Sequence, residues 1–127
     1  MRVLLDTQVL FLIGLRGGPT ISPRVRRVLD DPYSERFISS VSIAEIVVKI
    51  QTGKIKMLAS DLEKLVDDFA LRHIAFNQRH AERMLSMPLH HPDPFDRMII
   101  ATALEEGITL VGSDRNFANY KGLKILW

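Results

Sequence analysis

Short apolar runs, each followed by apolar positions at helical spacing, recur along this chain and leave few architectures open to it. Arg2-Val3-Leu4-Leu5 reads as a buried parallel strand, and Val9, Leu10 and Ile13 then fall on one face of a helix. Further strands are expected at Arg36-Phe37-Ile38-Ser39, at His73-Ile74-Ala75, at Leu110-Val111 and at Lys124-Ile125-Leu126, just before Trp127. Strands that alternate with helices predict an α/β sandwich with a mainly parallel sheet.

The helices carry their own punctuation. Gly17-Gly18-Pro19 is expected to end the first, and Ser22-Pro23 to cap the second, with proline in its first turn ahead of Val25, Val28 and Leu29. Ile43, Ile46, Val47 and Ile50 mark the next, with Ser42 and Glu45 as a capping box and Gly53 as a stop. Ser60 and Glu63 form a second expected box before Leu62, Leu65, Val66 and Phe69, and another helix is expected from His80 to Met87. Asp93-Pro94 opens the last long helix, striped by Phe95, Met98, Ile99, Thr102 and Ala103 and closed by Gly107. A short helix or turn is expected at Asn116-Phe117-Ala118.

At 127 residues with 46% hydrophobic content, one globular domain over residues 1–127 is expected, without repeat or linker. No apolar stretch approaches the roughly 20 residues of a membrane-spanning helix, and residues 8–15 lack a basic preface and a cleavage site, so a cytoplasmic protein is expected. Without cysteine, thiolate metal sites and cysteine nucleophiles are excluded.

Against that frame four acids stand out. Asp6 and Asp114 follow expected strands, where open α/β sheets bind ligands, and Glu45 and Asp96 fall in the first turns of expected helices. Carboxylates gathered in one pocket repel one another unless a cation compensates. A hard ion, Mg²⁺ or Mn²⁺, one or two in number, accepts such oxygen ligands and leaves room for a phosphate oxygen and an attacking water. Net charge is only +2, but with the four acids set aside the remainder is more clearly basic, as suits a polyanionic substrate.

Each acid has a structural alternative. Glu45 and Asp96 suit helix N-termini, Asp6 and Asp114 suit turns, and Asp93 is an N-cap that also stands close to the site. Thr7 and Ser113 offer hydroxyls beside site acids, and Arg97 and Arg115 are candidate phosphate contacts or rim ion pairs. His90, His91 and Asp93 are a weaker candidate cluster for a transition-metal phosphohydrolase.

Taken together, Leu4-Leu5-Asp6-Thr7, Val41-Ser42-Ile43-Ala44-Glu45-Ile46, Gly53-Lys54-Ile55, His91-Pro92-Asp93-Pro94-Phe95-Asp96-Arg97 and Thr109-Leu110-Val111-Gly112-Ser113-Asp114, with Phe117, Tyr120 and Ile125-Leu126-Trp127, resemble the PIN-domain family over nearly the whole chain. The likeness is to the VapC-type toxin ribonucleases of toxin–antitoxin modules in particular. It implies a three-layer PIN-like sandwich, with Asp6, Glu45, Asp96 and Asp114 as catalytic and metal-binding residues for RNA hydrolysis. It also implies a homodimer and a small antitoxin that covers the site. Two positions depart from the family pattern: Gln8 stands where His commonly follows Asp-Thr, and Gly112 where Thr often precedes the last acid by two. The second departure keeps open a catalytically weak or silent module that binds RNA or antitoxin.

Overall fold

The computed structural model describes residues 1–15, 21–90 and 92–127. Among these, β1 (Arg2–Leu5), β2 (Glu35–Ser39), β3 (Arg72–Ile74), β4 (Thr109–Val111) and β5 (Ile125–Leu126) form one sheet in the order β3-β2-β1-β4-β5. Every pairing is parallel. The helices are α1 (Thr7–Leu15), α2 (Pro23–Asp30), α3 (Ser40–Gln51), α4 (Ala59–Asp68), α5 (Gln78–Arg83) and α6 (Pro94–Glu106), with 3-10 turns at Met84–Ser86 and Arg115–Asn119.

Val3–Leu5 of β1 and Leu110-Val111 of β4 are buried on both faces of the sheet and apolar without alternation, whereas the edge strand β3 carries exposed Arg72 and His73. Side chains alternate across a strand, and β1 shows it: Val3 and Leu5 pack with Val9, Val25, Leu29 and Leu62, whereas Leu4 packs with Ile99, Ile100 and Ala103 on the opposite face. Helices α1, α2 and α4 therefore cover one face and α6 the other, giving the expected three layers. No helix among the described residues is long and apolar enough to cross a membrane.

From β1 the chain builds outward through β2 to β3, then returns to the other side of β1 for β4 and β5. Connections thus diverge between β1 and β4, whose register pairs Leu5 with Val111. The Asp6 N–H extends this ladder by donating to the Val111 carbonyl at 3.0 Å. Asp6 and the Gly112-Ser113-Asp114 segment consequently leave the sheet side by side at its switch point.

Several helix starts differ from expectation. Ser39, at the end of β2, caps α3 by accepting the Val41 N–H at 3.0 Å, so the helix begins before Ser42 and the Ser42–Glu45 capping box does not form. The buried face of α3 carries Val41, Ser42, Glu45 and Ile46, while Val47 from the expected apolar stripe is exposed. At α4 the N-cap is Leu58, whose N–H donates to the Asp61 carboxylate at 2.8 Å, in place of the Ser60–Glu63 box. The helix expected from His80 to Met87 ends earlier, because Met87 precedes Pro88 and takes an extended conformation that proline favours. Ser22 and Asp93 cap α2 and α6 as expected, and Gly107 closes α6 with φ 64. The expected stop at Gly17-Gly18-Pro19 lies outside the described residues.

Candidate active site

Four separate stretches of chain meet beyond the ends of β1 and β4. Asp6 follows β1, and its carbonyl accepts the Leu10 N–H at 3.2 Å to open α1. Glu45 sits in the second turn of α3, where a position one turn past Ser42 points to the same buried side. Asp96 is in the first turn of α6, held there because Asp93 caps the helix by accepting the Phe95 N–H at 2.9 Å. Asp114 follows β4 and caps the 3-10 turn, accepting the Asn116 N–H at 2.9 Å.

All four carboxylates line one cavity of about 340 Å³, together with Thr7, Gln8, Lys49, Asp93 and Ser113. Capping and site-lining are thus not alternatives for Asp93 and Asp114, since each does both. Asp6 and Glu45 are only 5% and 6% exposed, and the Asp6 Oδ1 and Glu45 Oε1 atoms are buried without a hydrogen-bond partner. Buried carboxylate oxygens are ordinarily satisfied, so two orphans in one acidic pocket mark a place suited to a cation. Burial, reinforced by the charge of Asp96 and then by Glu45 and Asp114, pushes the Asp6 carboxyl from 3.8 up to about 7, against the opposing hydrogen bond from the Thr7 backbone. Among the described residues no three His, Asp or Glu side chains close into a ready-made metal cage. The donor set is all oxygen and open, the arrangement that Mg²⁺ and Mn²⁺ accept while keeping several waters.

Supporting side chains fix this arrangement. Thr7 Oγ1 donates to Ser42 Oγ at 2.9 Å in a buried contact that ties the start of α1 to α3, and so the Asp6 segment to the helix of Glu45. Gly112 is needed for packing: a Cβ there would come within 2.6 Å of Phe117 Cε2 and 3.2 Å of the Asp6 Cβ. The Thr of the family pattern has no room at this position, because the Phe117 ring fills it. Ser113 stands exposed at the rim.

The remaining candidates lie elsewhere. Arg97 is not among the cavity residues; its guanidinium donates to the Met84 and Met87 carbonyls, each at 3.4 Å, and so ties α6 to the preceding 3-10 turn. Arg115 is exposed and also not among them. His90 packs edge-on against Tyr120 at 5.6 Å between ring centroids, and its expected partner His91 lies outside the described residues. Lys49 went unread in the sequence, although its place one helical turn after Glu45 was a usable signal. Its Nζ lies 3.2 Å from Glu45 Oε2.

Comparison with known proteins agrees with this fold. The described fold is similar to that of VapBC2 from Rickettsia felis, bound to a DNA fragment from their promoter, at TM-score 0.76 and 18% identity, covering 100% of this chain and 99% of that one. It is similar to DNA-bound VapBC from Salmonella typhimurium at TM-score 0.74 and 19% identity, covering 99% and 97%. It is also similar to VapBC-5 from Mycobacterium tuberculosis, a member of the VapBC family of toxin–antitoxin systems, at TM-score 0.65 and 16% identity, covering 98% and 97%. No curated protein sequence matches the chain. The PIN domain model matches residues 3–123, a span that takes in both acid-bearing strand ends and both acid-bearing helices, and the chain therefore belongs to the PIN-domain family.

Proposed function

We propose that this chain is a metal-dependent endoribonuclease that hydrolyses RNA phosphodiester bonds, acting as the toxin of a toxin–antitoxin module. The observation that carries this reading is the cavity in which Asp6, Glu45, Asp96 and Asp114 converge with two unpartnered buried carboxylate oxygens. These four acids would hold one or two Mg²⁺ or Mn²⁺ ions, which when bound supply charge neutralisation at the phosphate and activation of water. Asp93 holds the first turn of α6 in place, Thr7 holds α1 against α3, and Ser113 at the rim offers a hydroxyl to the sugar–phosphate backbone. A pocket rich in carboxylates, with neither cysteine nor histidine among its described lining residues, suits hydrolysis by water rather than covalent catalysis.

A small antitoxin is the partner this reading implies, and the fold likeness to members of VapBC toxin–antitoxin complexes supports it. A surface suited to such a partner, or to a second copy in a homodimer, is the groove of about 520 Å³ lined by Ile43, Leu62 and Val66, with Val47 exposed one helical turn beyond Ile43. The site of action under this reading is the cytoplasm.

The deciding experiment is Mn²⁺-dependent cleavage of a labelled RNA by the purified chain, beside an Asp96→Asn variant and a chelator control. Cleavage by the wild type alone, abolished by chelation, is the expected result. A folded wild type that binds RNA or antitoxin but turns nothing over would replace this reading with a silent binding module.

A further inference from the structure

We propose that Lys49 is the phosphate-binding cation of the site, the residue that takes a non-bridging oxygen of the RNA backbone beside the scissile bond; this rests on the nuclease reading above. Five carboxylates line the cavity, and Lys49 is the one Lys or Arg among its described lining residues. A polyanion entering so acidic a pocket needs positive charge from the protein as well as from metal. Arg97 supplies none there, because its guanidinium is turned to the Met84 and Met87 carbonyls.

The placement of Lys49 fits this task in three ways. Its ammonium is 3.2 Å from Glu45 Oε2, at the acidic wall itself. Its side chain is 33% exposed against 8% for Glu45, so it spans from the buried acid to the mouth of the cavity. Its Nζ lies 5.0 Å from the Phe11 ring centroid, a cation–π contact that holds the charge at this height and restricts the freedom of a long side chain. An ordinary solvent-facing Glu–Lys pair one helical turn apart would have neither a buried acid nor an aromatic rest. Lysine also suits the task chemically, since a compact ammonium with three donors can exchange one acceptor for another while staying in place.

The test is equilibrium binding of a fluorescein-labelled single-stranded RNA oligonucleotide by anisotropy, in Ca²⁺ over a series of KCl concentrations, with cleavage kinetics in Mn²⁺ alongside. Wild type, Lys49→Gln and Lys49→Arg are compared after circular dichroism and thermal unfolding show that each is folded. Lys49→Gln is expected to weaken binding about tenfold, the order that one charge-assisted hydrogen bond supplies. It should also make the plot of log affinity against log salt shallower by about 0.7, the loss of one single-strand phosphate contact. KM should rise more than kcat falls, and Lys49→Arg should restore the salt slope. If wild type binds and cleaves RNA but Lys49→Gln matches it in affinity and salt slope, Lys49 is merely the counter-ion of Glu45 and the proposal is overturned while the nuclease reading stands. If wild type neither binds nor cleaves RNA, the nuclease reading fails and the Lys49 assignment falls with it.

Discussion

Replacing Asp6 with asparagine should stabilise the metal-free protein at neutral and alkaline pH while abolishing cleavage. The Asp6 carboxyl is 5% exposed and faces three other acids, and its pKa rises from 3.8 to about 7 on folding. Folded protein therefore holds this proton more tightly than unfolded chain does. Between pH 3.8 and about 7 the native state binds more protons than the unfolded state, so stability falls as pH rises through that window and stays low above it. At about 1.4 kcal/mol per pKa unit, the loss amounts to about 4 kcal/mol. Asparagine keeps the shape without the charge, and its side-chain oxygen can still accept the Thr7 N–H. In chelator-treated buffer, urea unfolding should show Asp6→Asn more stable than wild type by about 4 kcal/mol at pH 8, with the gap shrinking to within about 1 kcal/mol at pH 4. Mn²⁺ at 100 times its Kd should return about 2.7 kcal/mol to the wild type and less to the variant. A variant less stable than wild type at pH 8, or a difference that does not change between pH 4 and 8, would refute the argument that desolvated, mutually repelling charge burdens this pocket.

Three further perturbations follow from contacts at the site. Gly112→Ala should destabilise by about 1–3 kcal/mol, as overpacking does, and lower kcat by displacing Asp6 or Phe117; thermal unfolding and cleavage rates check both. Thr7→Val should leave the buried Ser42 hydroxyl without its donor and cost about 1–3 kcal/mol, whereas Thr7→Ser should retain most of the stability, as urea midpoints will show. Asp93→Ala should lose about 1 kcal/mol by removing the α6 cap, while Asp93→Asn keeps the cap; a cleavage defect shared by both would assign the Asp93 charge a role in the cavity beyond capping.

Much of the fold was legible because the central strands β1 and β4 are buried on both faces and so read as unbroken apolar runs. Val3-Leu4-Leu5 and Leu110-Val111 could hardly be anything else once helical stripes flanked them. Asp93-Pro94 and Ser22-Pro23 were equally clear, since the cap and the proline each depend on neighbours in sequence. The start of α3 was harder, because Ser39, Ser40 and Ser42 are all acceptable caps and the choice among them depends on where β2 stops pairing. That error hid the reason for Glu45: it lies on a buried face beside Ser42, with no capping duty at all. Arg97 shows the opposite failure, in which an attractive charge beside a site acid points away, since adjacent helical residues project in different directions. Gly112 looked like a missing hydroxyl, yet the reason for glycine is the Phe117 ring, folded back from the 3-10 turn just ahead, together with the Asp6 Cβ beyond β1. The Asp6 contact is long-range and leaves no trace in local spacing, and the Phe117 contact depends on how the intervening turn folds.

The crossing from β3 back to β4 also sets a clock. Asp6 finds its place only when β1 has β4 beside it, and β4, Thr109–Val111, follows β1 only after two other strands and six helices of the described residues. A ribosome that has emerged only α1 through α6 has already displayed three of the four acids, but without β4 it offers neither the Asp114 wall nor the Val111 carbonyl that holds the Asp6 backbone. Contacts of such sequence separation form late and cannot be approximated by a fragment. A chain that has not yet reached β4 therefore lacks the assembled acidic pocket, and under the nuclease reading a protecting partner has until β4 is made to be present.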